Sequence, residues 1–172
     1  GFTGYTAVMA DDFDGRYRAI AEERGRMPEA ERLHALFAVD WDYTMASSPE
    51  TATYVGVPGH DTRWTDWSPE AIAERKANAR RPLNVLATIN REGLSAADRV
   101  NYDLFKRQAE EALEGTRFPG ELLQVTQLNG IQQDAAQVLS AMPAETTAQL
   151  ERQLARLRAL PAAVDQAIAL LK

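Results

Sequence analysis

Two histidines, His34 and His60, are the whole imidazole supply of this chain, and it contains no cysteine. Thiolate metal sites, disulfides and cysteine nucleophiles are therefore excluded. His60 sits in Pro58-Gly59-His60-Asp61, a loop that sets an imidazole beside a carboxylate, as a metal ligand or general base would need. Zinc sites of known spacing add a second imidazole at i+4 or a glutamate at a fixed interval, and neither follows here. His34, between Leu33 and Leu36, reads as a residue at the edge of a helix face. Ser47, Ser48, Ser68 and Ser95 stand at cap or turn positions and Ser140 within a helix. None lies in a Gly-x-Ser-x-Gly elbow, and the glycines form neither a phosphate loop nor a dinucleotide fingerprint. Asp11-Asp12, Glu22-Glu23 and Glu110-Glu111 are helix-surface pairs without the defined separation that paired-carboxylate catalysis requires. The distinctive cluster is Trp64-Thr65-Asp66-Trp67. Two indoles around an acid either line a binding cleft or pin a loop onto the helices beneath it. Pinning is the plainer reading, and Trp64 and Trp67 are kept as cleft candidates.

Helices must position these groups. The 172 residues suit a single domain, with 45% hydrophobic and 26% charged residues. No apolar run reaches the roughly 18 residues of a membrane span. The formal charge is −6, concentrated in residues 1–50, where 10 acids face 5 bases. Arg75-Lys76 and Arg80-Arg81 read as a solvated helix face, and with no basic stripe nucleic acid is not expected as a partner. Residues 1–10 lack periodicity and the charged and apolar regions of a signal peptide, so they are expected to be a flexible segment. A leader already removed and a processing product both fit a start at Gly1.

The rest, residues 11–172, is expected to be one helical domain. Phe13, Tyr17, Ile20 and Ala21 share a stripe, and Leu33, Leu36, Phe37, Trp41 and Thr44 share another. Ser48-Pro49-Glu50 and Ser68-Pro69-Glu70 are helix starts, with serine at N-cap, proline at N1 and an acid near the positive helix end. Residues 51–57 are rich enough in β-branched side chains to suit either a short helix or a strand. Pro82 should bend or interrupt its helix. Ser95 and Asp98 form a candidate capping box, followed by Val100, Leu104, Phe105, Gln108, Ala112 and Leu113. Leu123 and Val125 allow a short extended stretch. Leu150, Leu154, Leu157 and Leu160 form the most regular stripe, continued by Val164, Ile168 and Leu171 after Pro161, which starts a second helix or kinks one. The expectation is an all-α, irregular bundle of about seven amphipathic helices with at most a minor hairpin. The last stripe reaches Leu171-Lys172 without a cap, so its face is expected to be covered by a C-terminal remainder of the same protein, continuous or as a second chain. Self-association is the fallback.

Five stretches, in order, resemble the N-terminal part of the bacterial domain-of-unknown-function family 885. They are residues 48–56, residues 63–70, residues 94–104, Gln127-Leu128-Asn129-Gly130, and residues 154–161 with Gln166-Ala167-Ile168. Their order and spacing agree with the family across about residues 30–172. The resemblance implies a largely helical, zincin-like metallopeptidase fold, often exported, so a periplasmic or secreted location is expected with the cytoplasm still open. The family's His-Glu-x-x-x-His helix has no counterpart here, so no catalytic residue or metal ligand is carried over, and zinc is expected only in the missing C-terminal portion. This chain would then be inactive alone and would supply scaffold and cleft wall for a peptide substrate. Gln127 and Asn129, in a polar turn, are candidates to hydrogen-bond a peptide backbone, although turn or capping roles suit both. The alternative is a free-standing helical module that binds a protein or peptide.

Overall fold

The computed structural model describes residues 12–172. The flexible segment expected at residues 1–10 lies outside them. Among the described residues 71% are helical and no strand forms. Eight α-helices follow one another: α1 (Phe13–Glu22), α2 (Glu29–Ser47), α3 (Pro49–Val55), α4 (Pro69–Asn78), α5 (Arg81–Leu86), α6 (Ala96–Gly115), α7 (Ile131–Ala141) and α8 (Thr147–Leu170). Two 3-10 turns, Arg91–Gly93 and Gly120–Leu123, complete the elements. The second occupies the start of the stretch where Leu123 and Val125 allowed an extended segment.

The two prolines behave differently. Pro82 lies in the first turn of α5 and separates it from α4, where its missing N–H costs nothing. Pro161 lies inside α8, which runs through it unbroken. Residues 51–55 are helical despite their β-branched content, because both ends of α3 are well terminated. Pro49 opens α3, and Gly56 closes it in the left-handed region at φ 78°. Val57 N–H donates to the Ala52 carbonyl at 2.8 Å and Gly56 N–H to that of Thr53 at 3.2 Å. This pairing is a Schellman closure, which favours glycine.

The main core joins α1, α2, α5 and the start of α6. Tyr17, Ile20, Leu33, Leu36, Val39, Val85, Leu86, Ile89 and Leu94 are buried together. Phe37 and Phe105 close its edge with ring centroids 4.9 Å apart. Trp41 departs from its expected place on this stripe and is 51% exposed, while Val39 and Met45 are buried. On α6 Val100 and Leu104 are exposed, because Tyr102 and Phe105 are the side chains packed against the core. The Tyr102 hydroxyl donates to the Leu86 carbonyl.

Arg32 is the least expected member of this core, with no solvent exposure. Its Nε donates to the Ile20 carbonyl at 3.1 Å. Its Nη1 donates to Glu29 at 3.0 Å and to the Thr88 carbonyl at 3.1 Å. Its Nη2 reaches the Ala21 carbonyl and the Thr88 hydroxyl. The Ile20 and Ala21 carbonyls belong to the last turn of α1, where the Arg24 N–H reaches Ala21 at 3.4 Å and Ile20 has no further helical donor. Glu29 also accepts the Asn90 N–H at 2.9 Å.

The second layer holds α7, α8 and the Trp64 loop. Trp64, Val138 and Ala163 are buried, with Ile131, Ala135, Ala159 and Leu160 packed around them. A full capping box opens α8: Thr146 accepts from Gln149 N–H, and the Gln149 side chain accepts from Thr146 N–H at 2.9 Å. At Ser95 the box is only half made. Its hydroxyl accepts the Asp98 N–H at 3.1 Å, but the shorter Asp98 side chain accepts from the Ser95 hydroxyl rather than its backbone.

The leucine stripe of α8 does not face the core. Arg156, Ala163 and Ala167 are buried there, whereas Leu150, Leu154, Leu157, Ile168 and Leu171 are 44–55% exposed. Periodicity identifies an apolar face without saying which face meets the body. Small side chains at Ala159 and Ala163 let α8 lie close against Trp64 and α7, with Leu160 packed beside them, and the other large residues of the stripe stay half-exposed.

Two outcomes follow from this packing. Arg32→Met should lower unfolding free energy by about 3 kcal/mol, because carbonyls at the end of α1 and the Glu29 carboxylate lose a buried partner; urea denaturation reads it. The second concerns alkali. Burial, then the charge of Asp40, raises the Tyr17 pKa, and burial, then Glu74, pushes Tyr43 up to about 12. Both folded values exceed the ordinary 10.0. The stability they contribute is complete below pH 10 and is lost as pH rises through the folded values. The urea midpoint should fall from about pH 9 to about pH 11.5, and less steeply in Tyr43→Phe.

Candidate functional site

A single loop, residues 57–68, crosses the surface between α3 and α4 and is tied down by three helices. Glu50, in the first turn of α3, accepts the Thr65 N–H at 2.9 Å and the Thr65 hydroxyl at 2.6 Å. From α8, the Arg156 carbonyl accepts the Trp64 indole N–H at 2.9 Å. Gln166 accepts the Trp67 N–H at 2.9 Å and donates to Asp66 at 2.8 Å. From α4, Arg75 donates to the Asp66 carbonyl at 2.6 Å and stacks its guanidinium 4.7 Å from the Trp67 ring centroid. Asp66 also accepts the Ser68 N–H at 2.8 Å. Partial burial works to raise the Asp66 pKa, but the bonds from Ser68 and Gln166 and the nearby Arg75 charge outweigh it and hold the carboxyl below its usual range. Both tryptophans therefore pin the loop.

They also line a cleft. Ser48, Glu50, Trp64, Thr65 and Trp67 form one side of a depression of about 200 Å³. Gln124, Gly130, Ile131 and Asp134 close the other side, with Ala163 and Ala167 of α8 below. Pinning and lining are compatible: Trp64 and Trp67 are each tied to α8 and both border the depression. Gly130, at φ 133°, shapes the rim. A Cβ there would stand 2.6 Å from the Gln124 carbonyl oxygen and 2.5 Å from the Gln132 side chain, so a larger residue would displace the turn.

Gln127 and Asn129 are placed differently from the tryptophans. Neither lines the cleft, and both are exposed in the turn that precedes α7. Their backbones hold that turn. The Asn129 carbonyl accepts from Thr126 N–H at 2.8 Å, and the Gln127 carbonyl accepts from the Gln133 side chain at 2.9 Å. The cleft's carboxylates, Glu50 and Asp134, were not picked out as site residues from sequence. Each lies in the first turn of a helix, a position that helix electrostatics explains without any ligand.

Arg156 lies beneath Trp64, fully buried, with its guanidinium 4.9 Å from the ring centroid. Nη1 donates to the Thr53 hydroxyl, while Nε and Nη2 have no hydrogen-bond partner among the described residues. Burial lowers its pKa, opposed by the charges of Glu50 and Asp61. Its helix-mate Arg152 pairs with Asp61 at 3.1 Å.

The residues present do not fit a zinc site. Among the described residues no three His, Cys, Asp or Glu side chains gather into a metal-binding group. His34 Nε2 pairs with Asp98 at 2.9 Å and ties α2 to the start of α6. His60 Nδ1 lies 2.8 Å from Arg63. The cleft instead offers two indoles, a serine hydroxyl and two carboxylates, groups able to contact apolar, amide or cationic groups.

A family model for a bacterial protein of unknown function (DUF885) matches residues 49–172, and so covers all the resembling stretches apart from Ser48. No curated protein and no solved structure matches the chain.

The two buried arginines predict opposite behaviour. Arg156→Met removes a buried charge with orphaned donors and keeps most of the apolar contact with Trp64. Stability should stay within about 1 kcal/mol of wild type or rise, measured by urea denaturation followed by tryptophan fluorescence and circular dichroism.

Proposed function

The chain belongs to the family of bacterial proteins of unknown function DUF885, and from that premise we propose that it is the helical scaffold and cleft-wall unit of a zinc metallopeptidase. The reading assigns substrate grip to the Trp64–Trp67 cleft. It assigns zinc, and the glutamate that moves the proton, to a His-Glu-x-x-x-His helix outside these residues, in a C-terminal remainder carried as the same polypeptide or as a second chain. In such an enzyme the metal supplies an activated water and polarises the scissile carbonyl. The residues here would hold an extended peptide across Trp67, with Glu50 and Asp134 facing its cationic or amide groups. Export to the periplasm or beyond goes with this reading.

One observation carries the proposal: two tryptophans and two carboxylates line one cleft, and the loop that presents the tryptophans is fixed by hydrogen bonds to three helices. Fixed walls limit the ordering cost when a flexible peptide binds. A second reading, a helical module that binds another helix, is favoured by the exposed leucine face of α8.

Trp fluorescence of the chain, titrated with an end-blocked pentapeptide bearing two lysines, tests the cleft. Saturable quenching is expected with a Kd of order 0.1–1 mM. Asp134→Asn should weaken it ~5–10-fold, and Trp67→Ala should remove most of it. No saturable change at millimolar peptide, or one unaffected by both substitutions, would overturn the cleft reading.

A further inference from the structure

The exposed side of α8, continued by Leu171 and Lys172 just past its end, carries a heptad. Leu150, Leu157, Val164 and Leu171 recur every seventh residue, and Leu154, Pro161 and Ile168 form a second series offset by four. The two series make an a/d seam, with d at Leu150 and a at Leu154. A strict 3.5-residue repeat is narrower than the face needed to pack on a globular core, and it is the pattern of helix-on-helix pairing. The flanks differ in character. On the g side, Gln153, Leu160 and Ala167 are half-buried or buried toward the body. On the e side, Glu151, Arg158, Asp165 and Lys172 are exposed, alternate in sign, and join no ion pair among the described residues.

That alternation identifies an occupant. In a parallel pair e positions face g, and the g positions here are uncharged. In an antiparallel pair e faces e. When two copies of α8 run antiparallel with Leu157 layered against Ile168, Arg158 meets Asp165, and the Leu171-Lys172 end just past the helix lies opposite Leu154 and Glu151, each pair occurring twice. Sliding by one heptad in one direction sets Arg158 against its own copy and Glu151 against Asp165. Sliding in the other sets Asp165 against itself and Arg158 against Lys172. Both shifts replace attraction with like-charge contact. We propose that α8 is a self-pairing helix, and that the partner along its leucine seam is a second copy of this chain in that antiparallel register. The proposal rests on the second reading above, an interaction helix, and is independent of the peptide cleft.

Sedimentation equilibrium of the chain up to ~100 µM should show a reversible dimer. Leu157→Glu changes a residue already half-exposed, so the fold should persist by circular dichroism, while the dissociation constant rises at least ~100-fold. Arg158→Asp should weaken the dimer ~10-fold, and the swap Arg158→Asp with Asp165→Arg should restore it. Because the chain has no cysteine, a single Ala148→Cys carries a spin label cleanly. At 1.5 Å per residue the proposed register separates the two labels by about 45 Å, whereas a parallel pair holds them within ~20 Å. A monomer at the highest concentration, a short label distance, or a swap that fails to restore pairing overturns the proposal. Binding of an unrelated leucine-heptad peptide by such a monomer would remove the second copy as occupant and keep α8 as an interaction helix. Absence of that binding as well would overturn both.

Discussion

Arg32 is the constraint around which the first half of the molecule is arranged. A guanidinium without solvent exposure is tolerable only if its five donors find acceptors in the fixed fork they present. The acceptors come from the end of α1, the start of α2 and the segment after α5. Those three points must therefore converge on one plane. The convergence places Leu33 and Leu36 of α2 against Tyr17, Ile20, Val85 and Leu86. Apolar burial supplies most of the stabilisation here, yet it is indifferent to small slides of one helix along another. The arginine is not, since a slide of even an ångström would strand a carbonyl or a donor. Its role is to select one arrangement among several that would bury similar area.

The second half lacks such a lock. Arg156 is as buried as Arg32 but leaves two of its nitrogens without partners, and the buried apolar residues around it are few. Here the polar ties run outward, from Glu50, Gln166 and Arg75 to the backbone of the Trp64–Trp67 loop. The layer is organised around presenting a loop, where the first is organised around filling a core.

This contrast explains what the residues disclosed. The all-α class, the two Ser-Pro-Glu starts and the α2 stripe through Leu33 and Leu36 were legible, because helix periodicity and caps are local signals. The position of Ser48 was right, although its hydroxyl meets Thr51 instead of a backbone amide. The full capping box lies at Thr146–Gln149, whereas Ser95–Asp98 makes only half of one, because aspartate is a methylene too short to reach back. Trp64 and Trp67 stood out by composition. Glu50 and Asp134 could not, because an acid in a first helical turn looks the same whether or not tertiary structure brings it to a cleft. Arg32 and Arg156 were equally hidden, since burial of a charge depends on acceptors that lie far away in the chain.

The α8 leucines are the sharpest case. A stripe of leucines four and three apart is ordinarily assigned to a core, and the hydrophobic effect carries no address that would say which core. On α8 the address is written in side-chain size. Ala159 and Ala163 lie with Leu160 on the face that meets Trp64 and Val138, and the small residues there let two helices and an indole approach closely. Leucines in place of the alanines would hold the helix away and open the floor of the cleft, which Ala163 and Ala167 form. The same demand for a close floor displaces the other large apolar residues to the outer face, where their seven-residue repeat survives intact. One helix thus carries two surfaces with different requirements, and the cleft is the reason the larger side chains are left facing outward.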